Sequence, residues 1–294
     1  MVRNKTLPVR IGETALILLM IVISLLSLAP VLHTVAVSFS NNSAAAGGLV
    51  KFWPVGFNFA SYHKIIEEPH FMNSFFVSVK RVLLGGSVNF VLTVLMAYPL
   101  SRSSKEFPLR NIYMWFMLFT MLFSGGVIPL YLTVKTLGLF NSLWALVLPG
   151  AVPVFNVVLL MNFFRNMPKE LTDAAYIDGA GPWYMLLRIF LPLSPPSLAT
   201  VTLFSVVGHW NAFFDGMIFM RSTEHYPLQT YIQRLVVQLN VSVLDSSQQE
   251  LLSKVSDKTL NAAKIVVSMV PILAVYPFLQ KYFIHGIMLG SVKE

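Results

Sequence analysis

Residues 168–192 read PKELTDAAYIDGAGPWYMLLRIFLP, and the meaning of the whole chain turns on this stretch. Pro168 suits the first position of a helix, where its missing N–H needs no partner. Glu170 and Asp173 fall in the first turns, where carboxylates complement the helix dipole. Asp178-Gly179 predicts the stop, because glycine accepts the left-handed conformation that follows a helix end. Pro182 then opens a second short helix. Trp183, Leu186, Leu187 and Phe190 lie at i, i+3, i+4 and i+7 and predict one apolar face, and Leu191-Pro192 ends it. Ala174, Ala175 and Ala180 keep the first helix slim. The stretch therefore predicts two short helices joined at a glycine corner. A slim, acidic helix can enter a cleft on another protein, and it can equally be a solvated connector.

What surrounds this stretch is apolar. The chain has 294 residues, 55% of them hydrophobic and only 12% charged, about half the charged share of a soluble domain. Mean hydropathy is +0.68. An apolar span needs roughly 20 residues, so the length suits a polytopic membrane protein rather than one or two soluble domains. Cysteine is absent, which excludes disulfides, thiolate metal sites and cysteine nucleophiles. The net charge of +8 fits Lys and Arg in cytoplasmic loops and makes a soluble nucleic-acid binder the weaker reading.

The first apolar run, Ala15 to Phe39, follows Arg3, Lys5 and Arg10. It exceeds the 7–15 residues of a signal-peptide core, so a retained first helix is expected over about 12–39. Five more spans are predicted near Asn73–Leu100, Asn111–Thr133, Leu143–Phe164, Ser197–Met220 and Ala262–Phe283. The connection Ser101–Arg110 carries Arg102, Lys105 and Arg110, whereas Thr136–Ser142 carries no basic residue. The first is therefore expected inside and the second outside. Both termini then lie in the cytoplasm, and the 168–192 stretch lies in an inner loop over 165–196. The reading is an all-α, six-span membrane domain filling residues 1–294, with core helices over 73–283 and outer loops over 40–72 and 221–261. The five tryptophans, Trp53, Trp115, Trp144, Trp183 and Trp210, mostly fall near predicted interfaces, the depth that an amphipathic ring favours.

Catalytic chemistry has no foothold in the sequence. Glycine is never followed by lysine, so there is no phosphate-cradling Gly-x-x-x-x-Gly-Lys-Ser/Thr. There is no His-Glu-x-x-His and no Gly-x-Ser-x-Gly, and the six histidines are scattered without metal-ligand spacing. No catalytic residue and no metal ligand is assigned, and the chain is not read as an enzyme.

Asp173-Ala174-Ala175, three residues, Gly179, nine residues and Ile189-x-Leu191-Pro192 resemble the cytoplasmic "EAA" loop of ABC importer permeases, with Asp173 in place of the usual Glu. The longer string from Pro168 to Ala180 resembles the carbohydrate branch. So do Gly126-Val127-Ile128-Pro129, Leu137 to Ser142, Leu146 to Pro149, Tyr226 to Gln229 and Gly286 to Lys293. The likeness covers nearly the whole chain and is greatest to permeases like the smaller maltose-importer subunit and to oligosaccharide and alginate types.

The resemblance implies a type I ABC importer fold and one transmembrane subunit of a sugar importer in a bacterial inner membrane. A second related permease, two nucleotide-binding ATPase subunits and an extracytoplasmic solute-binding protein would be its partners. ATP and Mg would bind those ATPase subunits, and this chain would bind no cofactor of its own. Glu170, Asp173, Ala174, Ala175, Asp178, Gly179 and Ala180 would form the coupling contact. The alternatives are a secondary solute transporter, which needs coupling-ion sites near the midplane, often with buried carboxylates, and a non-transporting membrane scaffold.

Three further readings concern polar residues. His209, Trp210, Asn211 and Asp215 cluster in the fifth predicted span, where they either line a solute path or pack between helices. Lys80 and Arg81 lie inside the second; they either snorkel to the outer interface or face a pathway that favours anionic sugars. Leu228, Tyr231, Ile232, Leu235, Val236 and Leu239 form a helical apolar stripe. The polar stretch beyond it, with Asn240, Asp245 and Gln248, is the expected docking point for the binding protein.

Overall fold

The computed structural model describes residues 7–241 and 258–291. Among these residues there is no β-strand. The chain separates into two compact units, one of residues 1–69 and 236–269, the other of residues 70–235 and 270–294.

The first unit is built on α1 (Leu7–Ser38), whose apolar segment Ile11–Ser38 is exposed along its most hydrophobic window. Nothing in its side chains favours a self-contained core; it is apolar all round, as a lipid-facing span must be. Two short helices follow, α2 (Asn42–Ala46), capped by the Asn41 side chain, and α3 (Ala60–Glu67). The start of the last helix returns to this unit. There Ser61 bonds Thr259 at 2.9 Å, and buried Lys264 pairs with Glu68 at 2.7 Å.

The second unit begins with α4, a helix over Pro69–Ser101. Six shorter helices follow: α5 (Arg110–Leu122), α6 (Val127–Thr136), α7 (Leu143–Val147), α8 (Val154–Arg165), α9 (Lys169–Ile177) and α10 (Pro182–Tyr184). Then come α11 (Pro195–Asn211), α12 (Phe214–Phe219) and α13 (Leu228–Val241), and α14 covers Lys258–Ser291. The main core is formed by Ala97, Val157, Leu160, Phe164, Met185 and Phe190 with their neighbours.

Three helices, α1, α4 and the first part of α14, are long and apolar enough to cross a bilayer, and three bent pairs raise the number of candidate spans to six by length and composition. The third to fifth predicted spans are each interrupted. α5 and α6 meet at 109°, because Ser124-Gly125-Gly126 interrupts them and Gly126 takes φ 85°. The pair over 143–165 bends by 48° where Pro149 and Pro153 cannot donate backbone hydrogen bonds. The fifth predicted span also breaks, since Ala212 is extended between α11 and α12. Of these breaks only the one over 143–165 holds prolines, where neighbours must satisfy the freed carbonyls.

Candidate functional site

The 168–192 stretch folds as two short helices around a glycine corner. Pro168 caps α9 from just outside, and Gly179 adopts φ 75°. The Ala180 N–H bonds the Ala175 carbonyl at 2.9 Å, and the Gly179 N–H bonds the Tyr176 carbonyl at 3.0 Å, closing the helix end. The second helix differs from expectation. After α10 the chain widens into a π-helix over Met185–Phe190, so the buried side chains are Met185, Leu186 and Phe190, while Trp183 and Leu187 are exposed. The spacing i, i+1, i+5 replaces i, i+3, i+4, i+7 because a π turn takes in an extra residue.

Glu170, Asp173, Ala174, Asp178 and Gly179 lie on the surface. Ala175 is buried and Ala180 half-buried, and both pack on the main core. These two alanines therefore hold the loop in place, and the acidic residues are presented outward. They share that surface with Leu171, Tyr176, Ile177, Trp183, Tyr184 and Leu187, all exposed. Beside it lies a polar cleft of about 550 Å³ lined by Arg102, Arg110, Arg165, Lys169 and Asp173. The Arg102 guanidinium covers the Phe190 ring at 4.4 Å and so joins the cleft to the core.

The second candidate site lies inside the same unit. Arg81 from α4 is 2% exposed. It forms a two-pronged ion pair with Asp215 and donates to the Ala212 carbonyl at 3.1 Å. One guanidinium therefore joins the end of α11 to the first turn of α12 across their break. Arg81 does not snorkel; Asp215 neutralises it inside the protein. Lys80, its neighbour, is exposed.

A cavity of about 330 Å³ opens beside this pair, lined among others by Asn89, Asn156, Ser205, His209, Arg81 and Asp215. Asn156 donates to the Val201 carbonyl and to Ser205 Oγ, each at 3.2 Å. The Asn89 amide nitrogen lies 3.1–3.2 Å from the carbonyls of Gly85, Gly150 and Ala151, and its oxygen lies 3.2 Å from His209 Nε2. That orientation satisfies both ends of the amide. Gly85 makes room for the ring: a Cβ there would come within 2.5 Å of His209 Cε1 and Nε2.

Of the four residues expected to line a solute path, His209 and Asp215 reach this cavity. Trp210 is buried against Phe75, edge to face at 5.8 Å, and Asn211 is exposed outside the lining. Asn89, Asn156 and Ser205 were missed, although a polar side chain within an apolar helix is the very signal that marked His209. The Arg81–Asp215 pairing was also available as two opposite charges in two apolar segments.

Other motif residues clamp the bundle. Asn141 takes φ 59° and its side-chain oxygen accepts from the Arg221 N–H at 2.6 Å and the Ser222 N–H at 3.4 Å. The Leu228 N–H bonds Ser78 Oγ at 2.7 Å, which fixes the start of α13. The apolar stripe does form a helix there. Asp245 and Gln248 lie outside the described residues, as do the surroundings of the Asn240 side chain.

The comparisons with known proteins agree with this architecture. The family described as binding-protein-dependent transport system inner membrane component matches residues 89–236. The polygalacturonan/rhamnogalacturonan transport system permease protein YtcP of Bacillus subtilis (strain 168) is 37% identical over 93% of this chain and 95% of its own. Protein LplC of the same strain is 36% identical over 97% of this chain and 95% of its own. A crystal structure of a bacterial ABC transporter involved in the import of the acidic polysaccharide alginate is similar at TM-score 0.85 and 30% identity, covering 95% of this chain and 99% of that one. The glycine-cornered loop, the broken helices and the near full-length similarity lead to one assignment: this chain belongs to the family of inner-membrane components of binding-protein-dependent transport systems.

Proposed function

We propose that the chain is one transmembrane subunit of an ATP-driven importer of a sugar or oligosaccharide. The single observation that carries this reading is the near full-length similarity to a polygalacturonan/rhamnogalacturonan transport permease and to an alginate importer. In this reading six spans cross the bacterial inner membrane with both termini in the cytoplasm. A second related permease completes the pathway. Two ATPase subunits bind ATP and Mg, and an extracytoplasmic binding protein delivers the solute.

The surface formed by α9, its glycine corner and α10 is suited to the coupling contact. Glu170, Asp173 and Asp178 supply charge, and Ile177, Trp183 and Tyr184 supply exposed apolar area that a partner's cleft would cover. Closure of the ATPase dimer would then move this rigid loop and switch the access of the pathway. The cavity beside Arg81 and Asp215 is the subunit's candidate contribution to the solute path, with amide and hydroxyl groups of the kind a sugar binds through. Asp215 gives little to a secondary-transport reading, because its charge is already paired. The docking of the binding protein is placed in the segment around Asn240 to Gln249.

The experiment is co-purification with the neighbouring permease and ATPase, followed by ATPase assays with the binding protein and an oligosaccharide panel. Binding-protein-dependent stimulation by one class of sugar is expected. Stimulation that never depends on a saccharide, or uptake that stops when the proton gradient is collapsed while ATP is held constant, would overturn the proposal.

A further inference from the structure

The loop after α1 folds back along the helix it has just left. Val55 donates its N–H to Ser40 Oγ at 2.9 Å and accepts from the Asn41 N–H at 3.0 Å. The Asn58 N–H bonds the Phe39 carbonyl at 2.9 Å. These contacts hold the loop at the level of the helix end. Lys51 goes deeper, because its carbonyl bonds His33 Nδ1 at 2.7 Å. His33 lies five residues before Ser38, which at 1.5 Å per residue is about 7.5 Å back along the axis. Phe52 and Trp53 lie in sequence between the two levels.

The depth of this loop follows from the helix. A hydrocarbon core of about 30 Å takes about 20 helical residues. Counted from Ala15, just after Glu13 and Thr14, that length ends at Thr34. On that count the Lys51 carbonyl falls at the border of the hydrocarbon, and the loop from there to Val55 falls in the headgroup layer. Its side chains match that place. Leu49 is 68% exposed, Phe52 56%, Trp53 83% and Phe57 62%. Phe57 is held by stacking on Phe39 at 5.5 Å, and Phe39 stacks in turn on Tyr62 at 4.8 Å. The exposed Lys51 side chain has the reach to snorkel outward. The four bonds satisfy the carbonyls of Lys51 and Val55 and the N–H groups of Val55 and Asn58, and an interfacial layer, unlike the hydrocarbon core, offers water and headgroup partners to the backbone groups that remain. The most hydrophobic window of α1, from which the loop departs, is exposed as well.

We propose that residues 49–59 form a membrane-interface anchor, in which Leu49, Phe52 and Trp53 insert among the headgroups and glycerol backbones of the leaflet at the C-terminal end of α1. The partner is the phospholipid bilayer itself. A loop so placed fixes how far α1 extends through the membrane and resists its tilt, through burial of about 5–10 Å into the headgroup boundary.

Because the chain has no cysteine, Trp53→Cys carries a nitroxide label at one site of this subunit, with the unsubstituted complex as the blank for partner thiols. The purified complex is reconstituted in phosphatidylethanolamine/phosphatidylglycerol vesicles, and accessibility to oxygen and to a soluble nickel chelate is read by power saturation. Leu26→Cys, at the middle of α1, gives the deep reference. The ratio of oxygen to nickel accessibility is expected to lie several-fold above that of the free label in water and below that of Leu26→Cys. A ratio equal to that in water puts the loop in solvent and overturns the proposal. Low accessibility to both reagents puts it under another protein and overturns it equally. Phe52→Cys gives the same reading if Trp53→Cys fails to assemble. The result does not depend on the identity of the transported solute.

Discussion

Removing one member of the Arg81–Asp215 pair should be worse than removing both, and worse on one side than on the other. Asp215→Leu leaves a guanidinium that is 2% exposed with the Ala212 carbonyl as its remaining partner. An uncompensated buried charge costs about 3–5 kcal/mol, and this variant should lie at the upper end. Arg81→Met leaves the Asp215 carboxylate, which is 27% exposed and still accepts from the Gly216 N–H at 2.8 Å. Solvent access and that bond place its cost at the lower end, about 3 kcal/mol. The double variant Arg81→Met/Asp215→Leu has no buried charge and should lie within about 1–2 kcal/mol of the wild type, with the Ala212 carbonyl left without its donor. The assay is the ordering of unfolding midpoints for the purified complex in one detergent, together with uptake. The expected order of stability is wild type, double variant, Arg81→Met, Asp215→Leu. A double variant as unstable as the worse single one, or an Asp215→Leu milder than Arg81→Met, would refute this account of the pair.

Three further predictions rest on backbone and packing. At Gly179 an added Cβ would meet nothing within 4 Å, so substitution there costs backbone strain alone, about 1–2 kcal/mol for Ala. Binding-protein-stimulated ATPase activity should fall in the order Asn, Ala, Val while insertion of the apolar helices is unchanged in a protease-protection assay. Gly85→Ala should drive the His209 ring out of its place and break its contact with Asn89, costing about 1–3 kcal/mol as an overpacked site; combining it with His209→Ala should recover part of the lost thermal stability. Asn141→Gly keeps the left-handed backbone but loses the acceptor for two N–H groups, whereas Asn141→Ala also adds about 1–2 kcal/mol of strain. Ala should therefore lower the unfolding midpoint more than Gly.

Long elements with one dominant signal could be read directly from the residues. The α1 and α4 runs are apolar over more than a bilayer's thickness, and Gly179 follows a helix whose charges and alanines mark its limits. The breaks were harder to read. Hydropathy averages over a window, and Phe119 to Pro129 is apolar on both sides of Gly125-Gly126, so a 109° turn leaves no trace in the average. The face of Met185–Phe190 was misassigned for a different reason. Its register is set by the π turn, and that turn depends on packing against the Tyr98 and Phe164 rings, which the local sequence does not contain. Half of the polar cavity was visible in His209 and Asp215. The other half comes from Asn89 on α4 and Asn156 on α8, which are brought together only by tertiary structure.

The first unit has a further consequence during biosynthesis. Its two halves are far apart in the chain: the Ser61–Thr259 hydrogen bond spans 198 residues, and the Glu68 carboxylate meets Lys264 only when the last helix has been made. At about 5–20 residues per second, roughly 10–40 seconds pass between the emergence of Ser61 and that of Thr259. During that interval α1 and its loop are already synthesised, while the contacts of Ser61 and Glu68 with the last helix are still to form. The first unit is therefore completed only when the final helix inserts, and a chain released before Thr259 would lack both of these long-range contacts.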